Sequence, residues 1–435
     1  MTAWTLLVDI GIVSALLLVG KLLRAKVRFI QKLFVPPSLL AGFAGLVFGP
    51  ELLDWLPLSE HLGTYAGILI ALVFATLPLT ATHTGSSRKR IGRMWSYSQA
   101  GMLLQWAIGG ALGLFLLRHF WPVNEAFGLA MPAGFCGGHG TAAAIGEAFS
   151  RYGVEEMQSL AMTSATVGIV ASVIIGMWLI SWGAGHGYTT YLSRYEDLPS
   201  ELRTGILPKD KRQSMGEASF SSISLDSMTF NFSVVALITL LGYGMSLAVA
   251  RVWPAVMLPV FSCAFITGIL IRWILRRAHT DQYLSKPILG HLSGAFTDYL
   301  VAFGVASIKL RVVVQFIVPL MILLLAGLVF TLMYVLLAGR RIHREAWFEK
   351  SVFTWGWFTG TMAMGIALLR ITDPDGKSGC LDDYAYAYLY IAPVEISLVS
   401  LSPLLFAQGF GSWFILACAL AGTAILVWGL CSAAK

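Results

Sequence analysis

The residues best suited to chemistry lie in two short polar segments of an otherwise apolar chain. The first segment, 137–141, reads GGHGT, and the second, 359–361, reads TGT. Glycine lets a backbone leave the helical path, so that N–H and C=O groups become free to bind a solute or an ion. Broken, glycine-rich segments at matching positions of two halves are typical of the binding site of a secondary transporter. The two segments therefore predict a site for a small solute.

Two ionisable side chains accompany these segments. His139 lies between glycines, where it either donates to a substrate carboxylate or ties its segment to neighbouring helices, and the cost of a polar group at membrane depth favours the site role. Glu395 lies within a predicted span, where it pairs with a substrate ammonium, holds a cation or sits at an interface. Cys136 and His139 form a C-x-x-H pair, but two ligands do not make a metal site. The candidate substrate- or ion-binding residues are Gly137, Gly138, His139, Gly140, Thr141, Thr166, Thr359, Gly360, Thr361 and Glu395.

The composition predicts that helices spanning a membrane must position these residues. Hydrophobic residues make up 57% of the 435 residues, charged residues 12%, and the mean hydropathy is +0.74. A soluble domain carries about twice that share of charge. We therefore expect an all-α polytopic membrane protein with about 10–11 transmembrane helices. The predicted spans are about 4–21, 34–53, 63–82, 97–118, 157–182, 229–250, 254–274, 287–308, 312–338, 384–406 and 411–432.

The basic residues predict the orientation of these spans. The net charge of +7 comes from short clusters beside apolar segments, which argues against nucleic-acid binding. With the N-terminus outside and the central loop cytoplasmic, about 25 of the 30 Lys and Arg residues fall inside. The basic cluster follows the first apolar run rather than preceding it, as expected for a retained first helix.

The segments 125–150 and 351–375 are apolar but too interrupted by Gly and Pro to be ordinary spans. Re-entrant hairpins that enter from opposite faces explain both, because irregular backbone at membrane depth must be satisfied by protein or by a water-filled cavity. We therefore expect two inverted repeats, 1–182 and 229–435, joined by a cytoplasmic linker at 183–228.

Several stretches resemble one known family. The segments 35–42 (VPPSLLAG), 137–143 (GGHGTAA), 151–153 (RYG) and 165–168 (ATVG) are similar to those of the sodium/glutamate symporters. The GGHGT element is the most specific of these, and the resemblance covers almost the whole chain.

This resemblance implies a Na⁺-coupled carrier for glutamate in a bacterial inner membrane, with Na⁺ as the coupling ion and no cofactor. It also implies an inverted five-plus-five repeat, a scaffold that forms a homodimer surrounded by membrane lipid, and a core that moves like an elevator. The family is structurally similar to the 2-hydroxycarboxylate carriers that transport citrate.

The chain departs from the family pattern in its second hairpin and beyond. The segment 355–362 (WGWFTGTM) is bulkier than its counterpart in the best-known members, and Glu395 lies near where those members carry an Asp. Trp355, Trp357 and Trp413 are expected to be membrane-interface anchors.

Other functions remain open at this point. An uncoupled facilitator or channel for small organic anions would suit the same scaffold, as would an H⁺-coupled carrier of dicarboxylates or 2-hydroxycarboxylates. An enzyme is disfavoured, because the chain contains neither H-E-x-x-H nor G-x-S-x-G. The sodium ligands are not assigned by the sequence.

Overall fold

The computed structural model describes residues 3–32, 35–80, 88–191, 204, 206–209, 212, 214–216, 220, 223–253, 258–373 and 376–434. Regular structure in these ranges is helical, without a strand. A π-helical segment, Leu112–Leu117, extends the helix Arg88–Ala111 to Phe120, and a short 3₁₀ turn, Phe127–Leu129, precedes the helix Ala130–Phe135. The helices are α1 (Ala3–Lys26), α2 (Arg28–Lys32), α3 (Pro37–Phe48), α4 (Leu62–Thr80), α5 (Arg88–Ala111), α6 (Ala130–Phe135), α7 (Gly138–Ser150), α8 (Glu156–Gly185), α9 (Ser227–Val252), α10 (Val260–Arg277), α11 (Lys286–Ala306), α12 (Leu310–Gln315), α13 (Ile317–Ile342), α14 (Trp347–Thr359), α15 (Met362–Thr372), α16 (Cys380–Ala407) and α17 (Gly411–Ala434).

Nine helices in the described ranges are long and apolar enough to cross a membrane, and each coincides with a predicted span. The other two predicted spans correspond to α3 and α10, neither of which is both long enough and apolar enough to cross a membrane by the same criteria. Helix α3 has 12 residues because it begins at Pro37, directly after Pro36, and ends at a turn at Gly49. Helix α10 has 18 residues, but three arginines make its last turns polar. Both short helices begin directly after a proline.

The chain folds into two compact units, each assembled from separated stretches of sequence. Unit 1 comprises Met1–Val19, Pro37–His83 and Leu207–Ser307. Unit 2 comprises Gly20–Pro36, Thr84–Ile206 and Ile308–Lys435. Each unit therefore takes helices from both halves of the sequence.

Unit 1 contains the close packing of α3 on α11. A Cβ added to Gly42 would lie 2.6 Å from the Cβ of Val305, so only glycine allows this approach. The fully buried carboxylate of Asp9 accepts hydrogen bonds from the Ser59 amide (2.9 Å), the Ser59 hydroxyl (2.6 Å) and the Tyr65 hydroxyl (3.0 Å). These three donors offset the cost of burying the charge and hold the connection before α4 against α1.

Unit 2 is organised around α8 and α5. Helix α8 contacts α6, α7, α14 and α15, so a single long helix supports both interrupted helix pairs. Helix α5 lies along α17 and also contacts α13 and α16. The two helices thereby hold both interrupted helix pairs in place.

Candidate functional site

The first interrupted helix pair is formed by α6 and α7. The backbone of Gly134 in α6 lies against Ala165 of α8, whereas Gly146 near the end of α7 lies against Gln158. The contacts advance along α8 through α6, from Ala165 to Gly168 beside Phe135, and return through α7, from Thr166 beside His139 to Gln158, so the pair is a hairpin. The reversal uses left-handed backbone at Gly137 (φ +107°) and Gly138 (φ +61°), a conformation that side chains strongly disfavour.

The second interrupted pair is formed by α14 and α15. Its helices pack closely, because a Cβ added to Gly356 would lie 2.5 Å from the Cα of Gly365. The break between them consists of Gly360 (φ −144°, ψ −105°) and the extended Thr361 (φ −138°, ψ 163°). This pair is therefore also a hairpin with its tip at a glycine and a threonine.

The tips of the two hairpins are in contact. A Cβ added to Gly138 would lie 2.6 Å from Cγ2 of Thr361 and 2.8 Å from the carbonyl oxygen of Gly360. Gly168 of α8 lies beside both tips, next to the carbonyl oxygen of Thr359 and to Phe135. The two polar segments of the sequence, about 220 residues apart, therefore meet at one place in unit 2.

The electrostatics of this contact follow from the helix ends. Helices α7 and α15 both begin at the contact, and no side chain caps either first turn. Free N–H groups and the macrodipole make each helix N-terminus a positive end. The half-buried Thr361 hydroxyl has no hydrogen-bond partner among the described residues. The tips thus present two converging sets of donors to an anion.

A carboxylate lies beside these donors. Glu395 of α16 is 8% exposed, and its Oε1 accepts a hydrogen bond from the Thr141 hydroxyl at 2.9 Å. A Cβ added to Gly137 would lie 2.6 Å from the same oxygen. The site therefore combines donors suited to a carboxylate with an acceptor suited to an ammonium or a cation.

His139 is turned towards α8. Its Nε2 lies 3.0 Å from the Thr166 hydroxyl, and the ring is 1% exposed. Its Nδ1 is buried and has no partner within the described ranges. One ring nitrogen thus links the hairpin to α8, and the other is left for a further hydrogen bond. Gly140 lies in the same first turn of α7.

Not every residue singled out in the sequence presents its side chain to the contact. The Thr359 hydroxyl donates to the carbonyl oxygen of Trp355 in its own helix (2.8 Å), and the residue is fully buried. The contact instead brings together Gly137, Gly138, Thr141, Gly360, Thr361 and Glu395.

One supporting residue was missed in the sequence. The Gln105 amide of α5 donates to the Thr331 hydroxyl (2.7 Å) and to the carbonyl oxygen of Phe358 (3.1 Å), just before the second tip. Its Oε1 is buried without a partner in the described part of the chain. The signal for it was an amide side chain inside an apolar span, since such groups form hydrogen bonds between helices.

The tryptophans of the second hairpin are not interface anchors, so that expectation was wrong for two of the three. Trp355 is fully buried and donates from Nε1 to the carbonyl oxygen of Ser172 (3.0 Å), and Trp357 is 3% exposed. They fill space between α14 and its neighbours. Trp413, at 68% exposure, has the exposure expected of an anchor.

Buried charges fix the other end of the second hairpin. Oδ2 of Asp383 lies 3.1 Å from Nζ of Lys350 and 3.1 Å from Nε of Arg90. Burial, reinforced by the positive charges of Lys350 and Arg93, holds the pKa of His343 well below its usual range. The imidazole of His343 is therefore neutral and adds no positive charge. The cluster of Asp383, Lys350 and Arg90 ties the beginning of α14 to the beginning of α16.

Nine long apolar helices in the described ranges define the class of the protein as a multi-pass membrane protein. The chain belongs to the sodium/glutamate symporter family, whose sequence profile matches residues 4–348. This match confirms the resemblance seen in the sequence. Comparison with curated proteins gives no match. The matched residues include the first hairpin and α8 but end before the second break and Glu395. The second break and Glu395 are assigned to the site by their contacts with Gly138 and Thr141.

Proposed function

We propose that the chain is a secondary active transporter that couples Na⁺ to the movement of glutamate, or of a related small anionic amino acid or carboxylate, by alternating access. The observation that carries this proposal is the contact of Gly138 with Gly360 and Thr361, where two uncapped helix N-termini converge. Family membership supports the same substrate and the same coupling ion.

The charges at the contact match those of an amino acid with an acidic side chain. The amides that open α7 and α15, with the free hydroxyl of Thr361, bind the carboxylates, because helix N-termini stabilise anions. The carboxylate of Glu395, which the Thr141 hydroxyl holds at the tip, accepts a hydrogen bond from the ammonium group of the substrate. A charge-assisted hydrogen bond of this kind contributes about 1.5–3 kcal/mol.

Sodium requires hard oxygen ligands, and the C-terminal ends of α6 and α14 supply backbone carbonyls at the same breaks. In broken-helix transporters such carbonyls hold the coupling ion while the opposing N-termini hold the anion. We therefore propose that Na⁺ is bound by carbonyl and hydroxyl oxygens around Thr359, Gly360 and Thr141, next to the substrate.

The two hairpins are proposed to be re-entrant and to belong to inverted repeats at 1–182 and 229–435. Two features support this assignment. Each hairpin is followed by a long apolar helix, and the short helices α3 and α10, at matching positions of the two halves, both belong to unit 1. Unit 2 contains every candidate site residue, as an elevator mechanism requires of its moving body. The protein is proposed to be a homodimer in a bacterial inner membrane with its N-terminus outside.

Uptake by proteoliposomes tests this function. An inward Na⁺ gradient is expected to drive radiolabelled glutamate above its external concentration, and collapse of the gradient is expected to abolish accumulation. Glutamate entry only down its own gradient, without an effect of Na⁺, would instead establish an uncoupled facilitator. Accumulation driven by a pH gradient alone would establish H⁺ coupling.

A further inference from the structure

A basic cavity lies in unit 2 between the beginning of α5 and the end of α17. Its volume is about 340 Å³. Gly101, which packs on Phe358 near the second tip, is 13 residues further along α5 than Arg88, so the cavity lies about 20 Å from that contact along the helix axis. The cavity is thus separate from the proposed transport site. It is lined by Arg88, Lys89, Gly92, Arg93, Trp428 and Ser432.

The charge of this cavity is not neutralised by the described residues. Three of its six lining residues are cationic, and none is acidic. The side chains of Arg88, Lys89 and Arg93 form no ion pair or hydrogen bond with the described part of the chain, whereas the side chain of the intervening Arg90 is directed to Asp383 and Ser378. The first turn of α5 adds its own positive end. The cavity is therefore suited to an anion.

The wall opposite these cations is aromatic and closely fitted. A Cβ added to Gly92 would lie 3.6 Å from Cη2 of Trp428, and the Trp428 ring meets the Trp95 ring edge to face at 5.8 Å between centroids. Arg344 donates from Nε to the carbonyl oxygen of Ala433 at 2.9 Å and so fixes the last turn of α17. The cavity is thus built from two helix ends that are held in place.

We propose that this cavity binds the phosphate headgroup of an anionic membrane phospholipid. Arg and Lys are the residues that bind phosphate, and basic pockets between spanning helices are typical sites for anionic headgroups. Trp428 is 49% exposed, and Leu420 and Val427 of α17 are 62% and 51% exposed, which provides an apolar surface for the acyl chains beside the headgroup. A free phosphate shares the headgroup chemistry but makes no use of that surface.

Lipid-dependent thermal stability of the purified full chain tests the proposal. Phosphatidylglycerol is titrated into protein in a neutral detergent, with phosphatidylcholine and inorganic phosphate as parallel arms. The variant R88Q/K89Q/R93Q is compared with R276Q/R277Q/K286Q, which removes three exposed cations from unit 1. Each basic residue near an anionic surface contributes roughly a factor of five in affinity. The first variant is therefore expected to bind phosphatidylglycerol on the order of a hundredfold more weakly than wild type. The second variant is expected to bind phosphatidylglycerol as tightly as wild type.

A second variant, Gly92→Leu, keeps all three cations and fills the cavity. It is expected to lose stabilisation by phosphatidylglycerol while its melting temperature without lipid stays near that of wild type. Equal responses of the two triple variants, or an undiminished response of Gly92→Leu, would overturn the proposal. Stabilisation by inorganic phosphate equal to that by phosphatidylglycerol would overturn the assignment to a lipid.

Discussion

The Thr141 hydroxyl donates to Oε1 of Glu395 at 2.9 Å, across 254 residues of sequence. Among the described residues, Glu395 supplies the only carboxylate at the hairpin contact. This hydrogen bond holds that carboxylate at the tip of the first hairpin. It leaves the acceptor capacity of a carboxylate available next to two positive helix ends. Under the proposed function, we therefore expect recognition of a zwitterionic substrate to depend on Glu395.

Replacement of Glu395 by Gln is expected to remove the preference for an amino acid. The variant keeps the size of the side chain but loses the charge-assisted bond to the substrate ammonium, so apparent glutamate affinity should fall about 10- to 100-fold. Glutarate, which lacks the ammonium, should be affected far less. Competition of both solutes for uptake measures the change, with the exposed Glu155→Gln as control. An unchanged ratio between the two solutes would remove Glu395 from substrate recognition.

Replacement of Gly138 by Ala is expected to abolish transport while membrane insertion persists. The new Cβ would collide with Thr361 and with the carbonyl oxygen of Gly360, and the left-handed φ adds strain. Gly153→Ala is a matched control, since Gly153 is also left-handed (φ +80°) but has open space around its Cβ position. It should cost only about 1–2 kcal/mol of stability and retain uptake. Equal activity of the two variants would contradict the close contact of the tips.

The two roles of His139 can be separated by a comparison with its partner. Thr166→Val removes the hydrogen bond to Nε2 but leaves the ring and its free Nδ1. His139→Ala removes both, so it should weaken apparent glutamate affinity about tenfold more than Thr166→Val does, as expected for one hydrogen bond to a charged group. Equal effects of the two substitutions, with no further loss in the double variant, would show that His139 only fastens the hairpin to α8.

The charge cluster at the base of the second hairpin predicts a stability effect. Asp383→Asn leaves Lys350 buried without its counter-ion, which should cost about 3–5 kcal/mol. Asp382→Asn changes the adjacent, exposed carboxylate and should stay within about 0.5 kcal/mol of wild type. Thermal unfolding in detergent compares the two. Similar melting temperatures would show that the cluster does not stabilise the fold.

The sequence predicted the helical class and the positions of the nine long apolar helices because these follow from local hydropathy. It overestimated the apolar length of α3 and α10. Average hydropathy over a window does not show that a proline sets the first residue of a helix, or that arginines make its last turns polar. The glycines at 137, 138 and 360 were found because a helix break requires local residue types that are visible in one sequence.

Contacts across long stretches of sequence were beyond such reasoning. Nothing near Thr141 indicates that Glu395 is its partner, and nothing near Phe358 indicates that Gln105 supports it. Trp355 was assigned to the interface because its residue type is common there, whereas its burial depends on the close approach of α8. The division into two units also depends on tertiary packing.

Substrate protection of a cysteine at the second tip tests whether glutamate binds between the two hairpin tips. Thr361→Cys is introduced with Cys431→Ser, since Cys431 is exposed and the other native cysteines are buried. Glutamate with Na⁺ is expected to slow maleimide labelling of this cysteine at least about tenfold, whereas Ser150→Cys, on the exposed end of the first hairpin, should label at a constant rate. Labelling of Thr361→Cys that is independent of glutamate, in a variant that still takes up glutamate, would contradict a binding site between the two tips.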